Sequence, residues 1–303
     1  GLSVLVVDQR AFGGQAGASA RIENYLGFPT GISGMGLAGR AFNQALKFGA
    51  TIAIPLEVKQ LVCPPAEAKR QEPLRLELTN GKSVRAHAVV IATGVRYRRP
   101  NIANLSDFEG VGVSYWATAV EAKLCAGEEV ALIGGGNSAG QAVVYLAPKV
   151  KHLHLVVRGD GLEASMSRDL IDRIRARPNV DLHTHTEIVS LEGDRMHGLT
   201  GVAFREHPSG VTHICPVRHL FLFIGADPNV DWLKDCVATD SKGFIITGAA
   251  SSVGLGRSVL PLETSHSGVF AIGDIRAGST KRVAAAVGEG AAVVAQIHQM
   301  LSN

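Results

Sequence analysis

The run Glu129-Val-Ala-Leu-Ile-Gly134-Gly-Gly-Asn-Ser-Ala139 is the most informative stretch of this chain. An apolar strand pattern leads into three glycines. A small-residue helix pattern then runs from about 138 to Ala147 and is stopped by Pro148. Strand, glycine loop and helix with G-x-G-x-x-A spacing form the fingerprint of a dinucleotide-binding unit. The glycines allow a tight turn and close approach to a pyrophosphate, whose charge sits on the helix N-terminus. Gly134, Gly136, Asn137, Ser138 and Ala139 are therefore candidate nucleotide-binding residues. The next strand, His152-Leu-His-Leu-Val-Val157, ends at Arg158, where an NAD site would carry an acid. A guanidinium suits the 2′-phosphate of NADP, and an idle surface arginine is the alternative.

Working outward, Gly1-Leu-Ser-Val-Leu-Val-Val-Asp8 reads as a buried parallel strand that ends in an acid. The second strand of a Rossmann unit has this form, its acid holding a ribose hydroxyl ~20 residues after a glycine-rich loop. No such loop precedes it, so about 20–30 residues of the unit are expected upstream. A plain strand-end acid is the other reading of Asp8. Gly13, Gly14 and Gln15 follow, either for close backbone approach to a ligand or as a flexible loop. Ser33 is placed to cap a helix over 34–48, with Leu37, Ala38, Ala41, Phe42, Ala45 and Leu46 as its apolar stripe and Gly49 as its stop. Asn80-Gly81 predicts a hairpin, and Ala88-Val-Val-Ile-Ala-Thr-Gly94 a strand running into a turn. A helix over about 167–176 capped by Ser167, and a hairpin at Pro208-Ser-Gly210, precede the strand His219-Leu-Phe-Leu-Phe-Ile-Gly225.

Each half thus holds a Rossmann-type strand, a hairpin unit and an apolar strand ending in glycine, which suggests a duplicated nucleotide-binding fold. Gly268-Val-Phe-Ala-Ile-Gly-Asp274 and a helix over 281–301 supply the closing strand that the first half needs. The second unit is then expected as an insertion into the first. Asp274 is placed for a sugar hydroxyl, and the helix that starts near Arg282 aims its positive end at a ligand.

Composition narrows the function classes. Of 303 residues, 46% are hydrophobic and 19% charged, enough apolar material for filled cores and two domains. The net charge of +3, with both signs interspersed, argues against a nucleic-acid or polybasic membrane surface. No apolar run is long enough to span a bilayer. Four cysteines, at 63, 125, 215 and 236, contain no Cys-X-X-Cys, so a reducing cytoplasm is the expectation. His152, His154, His183 and His185 alternate along strands and read as surface partners rather than a metal site.

Taken together, Gly13-Gly-Gln15, Glu23-Asn24-Tyr-Leu-Gly27-Phe-Pro29, Ala92-Thr93-Gly94, the Gly134–Ala139 loop, Ile224-Gly225 with Pro228-Asn229, and Gly268–Asp274 closely resemble the low-molecular-weight thioredoxin reductase family. The resemblance covers essentially the whole chain. It implies an α/β protein with two Rossmann-like domains, an FAD domain at about 1–111 and 242–303 and an inserted NAD(P)H domain at about 112–241. Val113-Ser-Tyr-Trp-Ala-Thr-Ala-Val-Glu-Ala, Leu155–Gly161 and Lys281–Gly290 look like a branch often fused behind a cyclic-nucleotide-binding or receiver domain.

Carried over by resemblance, Gly13, Gly14, Gln15, Asn24, Thr93 and Gly94 serve FAD. Asp8 would hold its adenosine ribose and Asp274 its ribityl or phosphate region, with Lys281, Arg282 and Val283 facing the isoalloxazine. Gly134, Gly136, Asn137, Ser138, Ala139 and Arg158 serve NADPH or NADH. The family's Cys-Ala-Thr-Cys-Asp site falls on Ala117-Thr118-Ala119-Val120-Glu121, so both redox sulfurs are replaced, by Ala117 and Val120. Of the family's 2′-phosphate arginines only Arg158 remains. The implied function is hydride transfer from NAD(P)H to flavin and on to an unknown electron acceptor. The alternatives are a flavin- or nucleotide-sensing module, or a disulfide reductase using Cys125. A homodimer is the expected assembly, without nucleic-acid or membrane partners.

Overall fold

The strand Glu129–Ile133 is the middle of a five-stranded parallel sheet in the computed structural model, which describes residues 1–19, 22, 25–64, 72–194, 196–252 and 258–302. The sheet order is Val180–His183, His152–Val156, Glu129–Ile133, His219–Leu222, Val113–Ser114. Alternation along the strands divides two cores. Val130, Leu132, Leu153 and Leu155 pack with the helices Asn137–Leu146 and Arg168–Arg175. Ala131, Ile133, Leu220 and Leu222 pack with Val202 and Phe204 of an antiparallel sheet formed by Thr186–Asp194, Gly198–Glu206 and Thr212–Cys215. A sheet covered on both faces needs near-continuous apolar strands, which is what these segments are.

This sheet belongs to a unit spanning Tyr97–Ala226; the other unit joins Gly1–Arg96 to Asp227–Asn303. One unit is therefore inserted in the other, and the chain crosses at 96/97 and 226/227 rather than at 111/112 and 241/242. Both crossings lie in or beside the paired strands Val95–Tyr97 and Ala226–Pro228, a pairing that the sequence pattern did not signal.

The outer unit holds the parallel pairs Leu5–Val7 with Thr51–Ala53 and Val89–Ile91 with Val269–Ala271. It also holds an antiparallel sheet of Val58–Val62, Leu74–Leu78 and Ser83–Ala86. The Asn80-Gly81 hairpin forms as expected, with Gly81 at φ 80° and the Asn80 side chain accepting from Lys82 N. The helix Gly34–Lys47 is capped by Ser33, whose hydroxyl accepts from Gly36 N at 3.1 Å. The long C-terminal helix is Val283–Ser302.

Three sequence expectations need correction. The first strand is not buried: Leu5 and Val6 are each 41% exposed, because its one ladder among the described residues is to Thr51–Ala53. Ser167 precedes its helix without a side-chain cap; its own N–H is instead held by Asn137 Oδ1 at 2.7 Å. The cysteines are not all free. Cys63 and Cys236 form a disulfide with their Cα atoms 5.9 Å apart, beside Leu61, Leu233 and Val237. Cys125 and Cys215 are buried free thiols. Thiol titration of the protein denatured without reductant should therefore give two thiols per chain, rising to four after reduction. A count of four before reduction would refute the cross-link.

Candidate functional site

The glycine loop sits at the carboxyl end of Glu129–Ile133, and each small residue has a distinct reason. Gly134 has φ 149°, and a Cβ there would lie 2.5 Å from Phe223 O and 3.0 Å from Ala139 Cβ. Ala139 is fully buried against it, so these two set how closely helix and strand approach. Gly136 is the N-cap of Asn137–Leu146 and supplies no side-chain cap, while Asn137 and Ser138 are exposed. The first turn of this helix is thus at the surface without a side-chain cap, where its N–H groups suit a pyrophosphate. Asn137 also braces the loop against Ser167, and Ser165 Oγ donates to Gly135 O at 2.9 Å. Arg158 is exposed just beyond His152–Val156, the strand paired in parallel beside the loop strand, with Val156 opposite Ile133. The residues present fit a pyridine nucleotide.

Arg158→Ala is expected to weaken NADPH about 10-fold, the loss of one charge-assisted contact, and to leave NADH nearly unchanged. Isothermal titration with both nucleotides measures this, and equal losses would reject the assignment.

In the outer unit the flavin candidates divide by role. Asp8 Oδ1 accepts from Arg10 N and Ala11 N, closing a turn at the strand end. A Cβ on Gly13 would meet Ala38 Cβ at 2.5 Å, so Gly13 serves packing against Gly34–Lys47. Gly14 has φ 50° and open space around it, which leaves its backbone accessible. Gln15 Nε2 donates to Val95 O, beside Gly94. Thr93 and Asn229 clamp each other: Thr93 Oγ1 donates to Asn229 O and Asn229 Nδ2 to Thr93 O. Asn24 lies outside the described residues.

Around Asp274, burial raises its carboxyl above the usual range, with Lys281 opposing. Burial lowers the Lys281 ammonium, which donates to Asp274 O at 3.1 Å and lies 4.4 Å from the centre of the Phe244 ring. Lys281 and Arg282 precede the helix, and Val283 is its first residue. Glu289, missed in the sequence, accepts from Gly273 N at 2.6 Å and from Arg276. Against the burial that would raise it, these two donors hold its carboxyl below its ordinary value. These residues suit the sugar and flavin ends of FAD. The helix start at Gly34 is closed off, because a Cβ there would meet Ala16 O at 1.8 Å.

The segment 117–121 is built as a helix start. Ala117 lies outside the helix Ala119–Leu124, and Val120 lies in its first turn. Thr118 is the N-cap, and Glu121 closes a capping box by accepting from Thr118 N at 2.8 Å. Glu121 also accepts from Trp116 Nε1 at 2.9 Å. The Thr-x-x-Glu spacing was a legible signal for this cap. Cys125 ends the same helix, fully buried, and burial pushes its thiol up to about 11. That environment makes an inert thiol rather than a nucleophile.

An inserted unit with a complete dinucleotide loop, in an outer unit that carries a second Rossmann-type strand set, defines the class of α/β pyridine nucleotide flavoprotein folds. The chain belongs to the pyridine nucleotide-disulphide oxidoreductase family, whose pattern matches residues 1–290. It is 31% identical over 290 residues to a thioredoxin reductase of Treponema pallidum, covering 96% of this chain and 86% of that protein. It is 30% identical over 292 residues to NADPH-dependent thioredoxin reductase 3 of Arabidopsis thaliana, covering 96% of this chain and 51% of that protein. The chain thus spans about half the length of that relative, and likewise of an alkyl hydroperoxide reductase protein of Escherichia coli. The solved thioredoxin reductase of Streptococcus pyogenes superposes with a TM-score of 0.84 at 29% identity, covering 99% of this chain and 90% of that one. FAD and NAD(P)H are the cofactors that the family assigns. No helix among the described residues is long and apolar enough to cross a membrane.

Proposed function

We propose that the chain is an FAD-dependent NAD(P)H oxidoreductase that passes electrons to an acceptor other than a disulfide of its own at positions 117 and 120. When bound, the cofactor pair supplies hydride transfer from nicotinamide to flavin. The protein holds the nucleotide pyrophosphate on the Gly134–Ala139 loop and the helix behind it, with Arg158 beside the ribose. Asp8, Gly14, Gln15, Asp274 and Lys281 hold and orient FAD. The single observation that carries the reading is the pairing of a complete nucleotide loop with a 117–121 segment committed to a helix cap. Thiol–disulfide exchange needs a thiolate and a disulfide sulfur, and Ala117 and Val120 supply neither. Cys125 is too deeply buried to replace them. The Cys63–Cys236 cross-link packs in an apolar cluster and is read as structural. A homodimer, and a fused upstream domain of the cyclic-nucleotide-binding kind, belong to this proposal.

The test is steady-state oxidation of NADPH and NADH by the FAD-loaded protein with ferricyanide and, separately, with thioredoxin. Turnover with ferricyanide and none with thioredoxin is expected. No turnover with any artificial acceptor would favour a sensing module instead.

A further inference from the structure

His152, His154, Asp181 and His183 share one face of the parallel sheet in residues 97–226 with Glu129, which stands opposite His152 and is paired with Lys151. His154 stands opposite Asp181 and Val156 opposite His183 in the parallel ladder. A two-residue strand repeat therefore puts His152, His154, Asp181 and His183 on the same side. The other side is taken by Leu153 and Leu155, fully buried against the helices. The antiparallel sheet covers the histidine face: the Phe204 ring lies 5.9 Å from His154 and 5.1 Å from His183. These histidines are therefore not the solvent-facing row that the sequence suggested.

Their polar atoms are arranged in two layers. His152 Nε2 lies 2.9 Å from Asp181 Oδ2, and His154 Nδ1 lies 3.1 Å from His183 Nε2. His154 Nε2 is shut off from solvent and has no hydrogen-bond partner. An unsatisfied buried ring nitrogen is costly and needs an explanation. With the ring proton on His154 Nδ1, directed at His183, Nε2 presents a bare lone pair. One ligand atom each from His152, His154 and Asp181 lie within 4.8 Å of one another. A tetrahedral zinc ion with bonds of about 2.0–2.1 Å separates its ligand atoms by about 3.3 Å. The side chains of His152 and Asp181 are 27% and 59% exposed, so they have room to close on an ion and leave a coordination position to water. Two imidazoles and one carboxylate suit a zinc-class ion and disfavour magnesium or calcium, which prefer all-oxygen sites.

We propose that His152, His154 and Asp181 bind a divalent transition-metal cation of the zinc class, with His183 orienting His154 from behind. The site ties the edge strand Val180–His183 to its neighbour, on the same strand that leads to Arg158. A hydrogen-bonded partner on the far nitrogen of a ligating histidine is the usual support for such a site.

The test uses the full chain without a polyhistidine tag. Calorimetric titration with Zn²⁺ should give one ion per chain at micromolar affinity or tighter. Co²⁺ should give visible absorption of four- or five-coordinate cobalt that Zn²⁺ abolishes. Asp181→Asn, at an exposed position that leaves the fold intact, should weaken Zn²⁺ at least about 10-fold, and His183→Ala about 10–100-fold. His185→Gln, outside the trio and 3.5 Å from Asp160, should leave binding unchanged. Zn²⁺ should also raise the melting temperature of the wild type more than that of Asp181→Asn, as binding to the native state requires. No stoichiometric binding, or unchanged affinity in Asp181→Asn, would overturn the proposal and leave two ordinary hydrogen-bonded pairs at a sheet edge.

Discussion

Gly134→Ala is expected to cost about 2–6 kcal/mol of stability, combining backbone strain with overpacking. Gly134 holds φ 149°, a region that an L side chain rarely enters. Its new Cβ would sit 2.5 Å from a backbone oxygen, that of Phe223, and neither strand is free to retreat. Phe223 N donates to Ile133 O and Gly134 N to Val156 O, so three neighbouring strands fix the contact. Whatever fraction remains folded should bind NADPH far more weakly, because the loop must shift off its pyrophosphate position. Denaturant unfolding with intrinsic fluorescence measures the first effect and calorimetry the second. Gly159→Ala is the control: nothing lies within 4 Å of a Cβ there, and it should stay near wild type. A Gly134→Ala protein with wild-type midpoint and wild-type nucleotide affinity would mean that the loop is placed wrongly.

The second large effect is a gain of chemistry. Ala117→Cys with Val120→Cys places sulfurs at the two positions that the proposed function assigns to the family's disulfide. A disulfide between them needs Cβ atoms about 3.5–4.5 Å apart. Two positions three apart share a face only within a continuous helical turn. In the structure Ala117 lies before the Thr118 cap and Val120 after it, so the bridge must span the helix start. In the FAD-loaded double variant, NADPH should release two extra thiols per chain. Wild type should release none, and neither Cys125 nor the Cys63–Cys236 pair should respond. Thioredoxin reduction by wild type that is abolished by Cys125→Ser would instead make Cys125 a relocated redox centre, against its buried and weakly acidic thiol.

Much of the organisation was legible because local rules and tertiary need agree. The glycine loop, the Ser33 cap, the Asn80-Gly81 hairpin and the apolar strands of the inner sheet each carry their signal within a few residues. The 134–139 loop stands out as a nucleotide-binding candidate because the chemistry expected of it depends on backbone approach, which only glycine at fixed spacing allows. The family resemblance follows from motif order along the chain.

Other features depend on residues far apart in sequence, and no short pattern encodes them. Cys63 and Cys236 are 173 residues apart, and the fold alone brings them to bonding distance. Gly13 reads in sequence as a ligand-loop glycine but is pressed against Ala38, which occupies the space a side chain would need. Thr93 meets Asn229, and Gln15 meets Val95, only through tertiary folding. The histidines alternate plainly in sequence, yet which face they share, and that Phe204 covers it, was decided by how the antiparallel sheet packs on the parallel one. The sequence by itself determined the strand–loop–helix order, the glycine spacing of the 134–139 loop and the absence of sulfur at 117 and 120, since each is a property of neighbouring residues. Only the tertiary structure decided which glycines are pressed against neighbours, which thiols are joined and which ring nitrogen is left without a partner, since burial and pairing are properties of the packed chain.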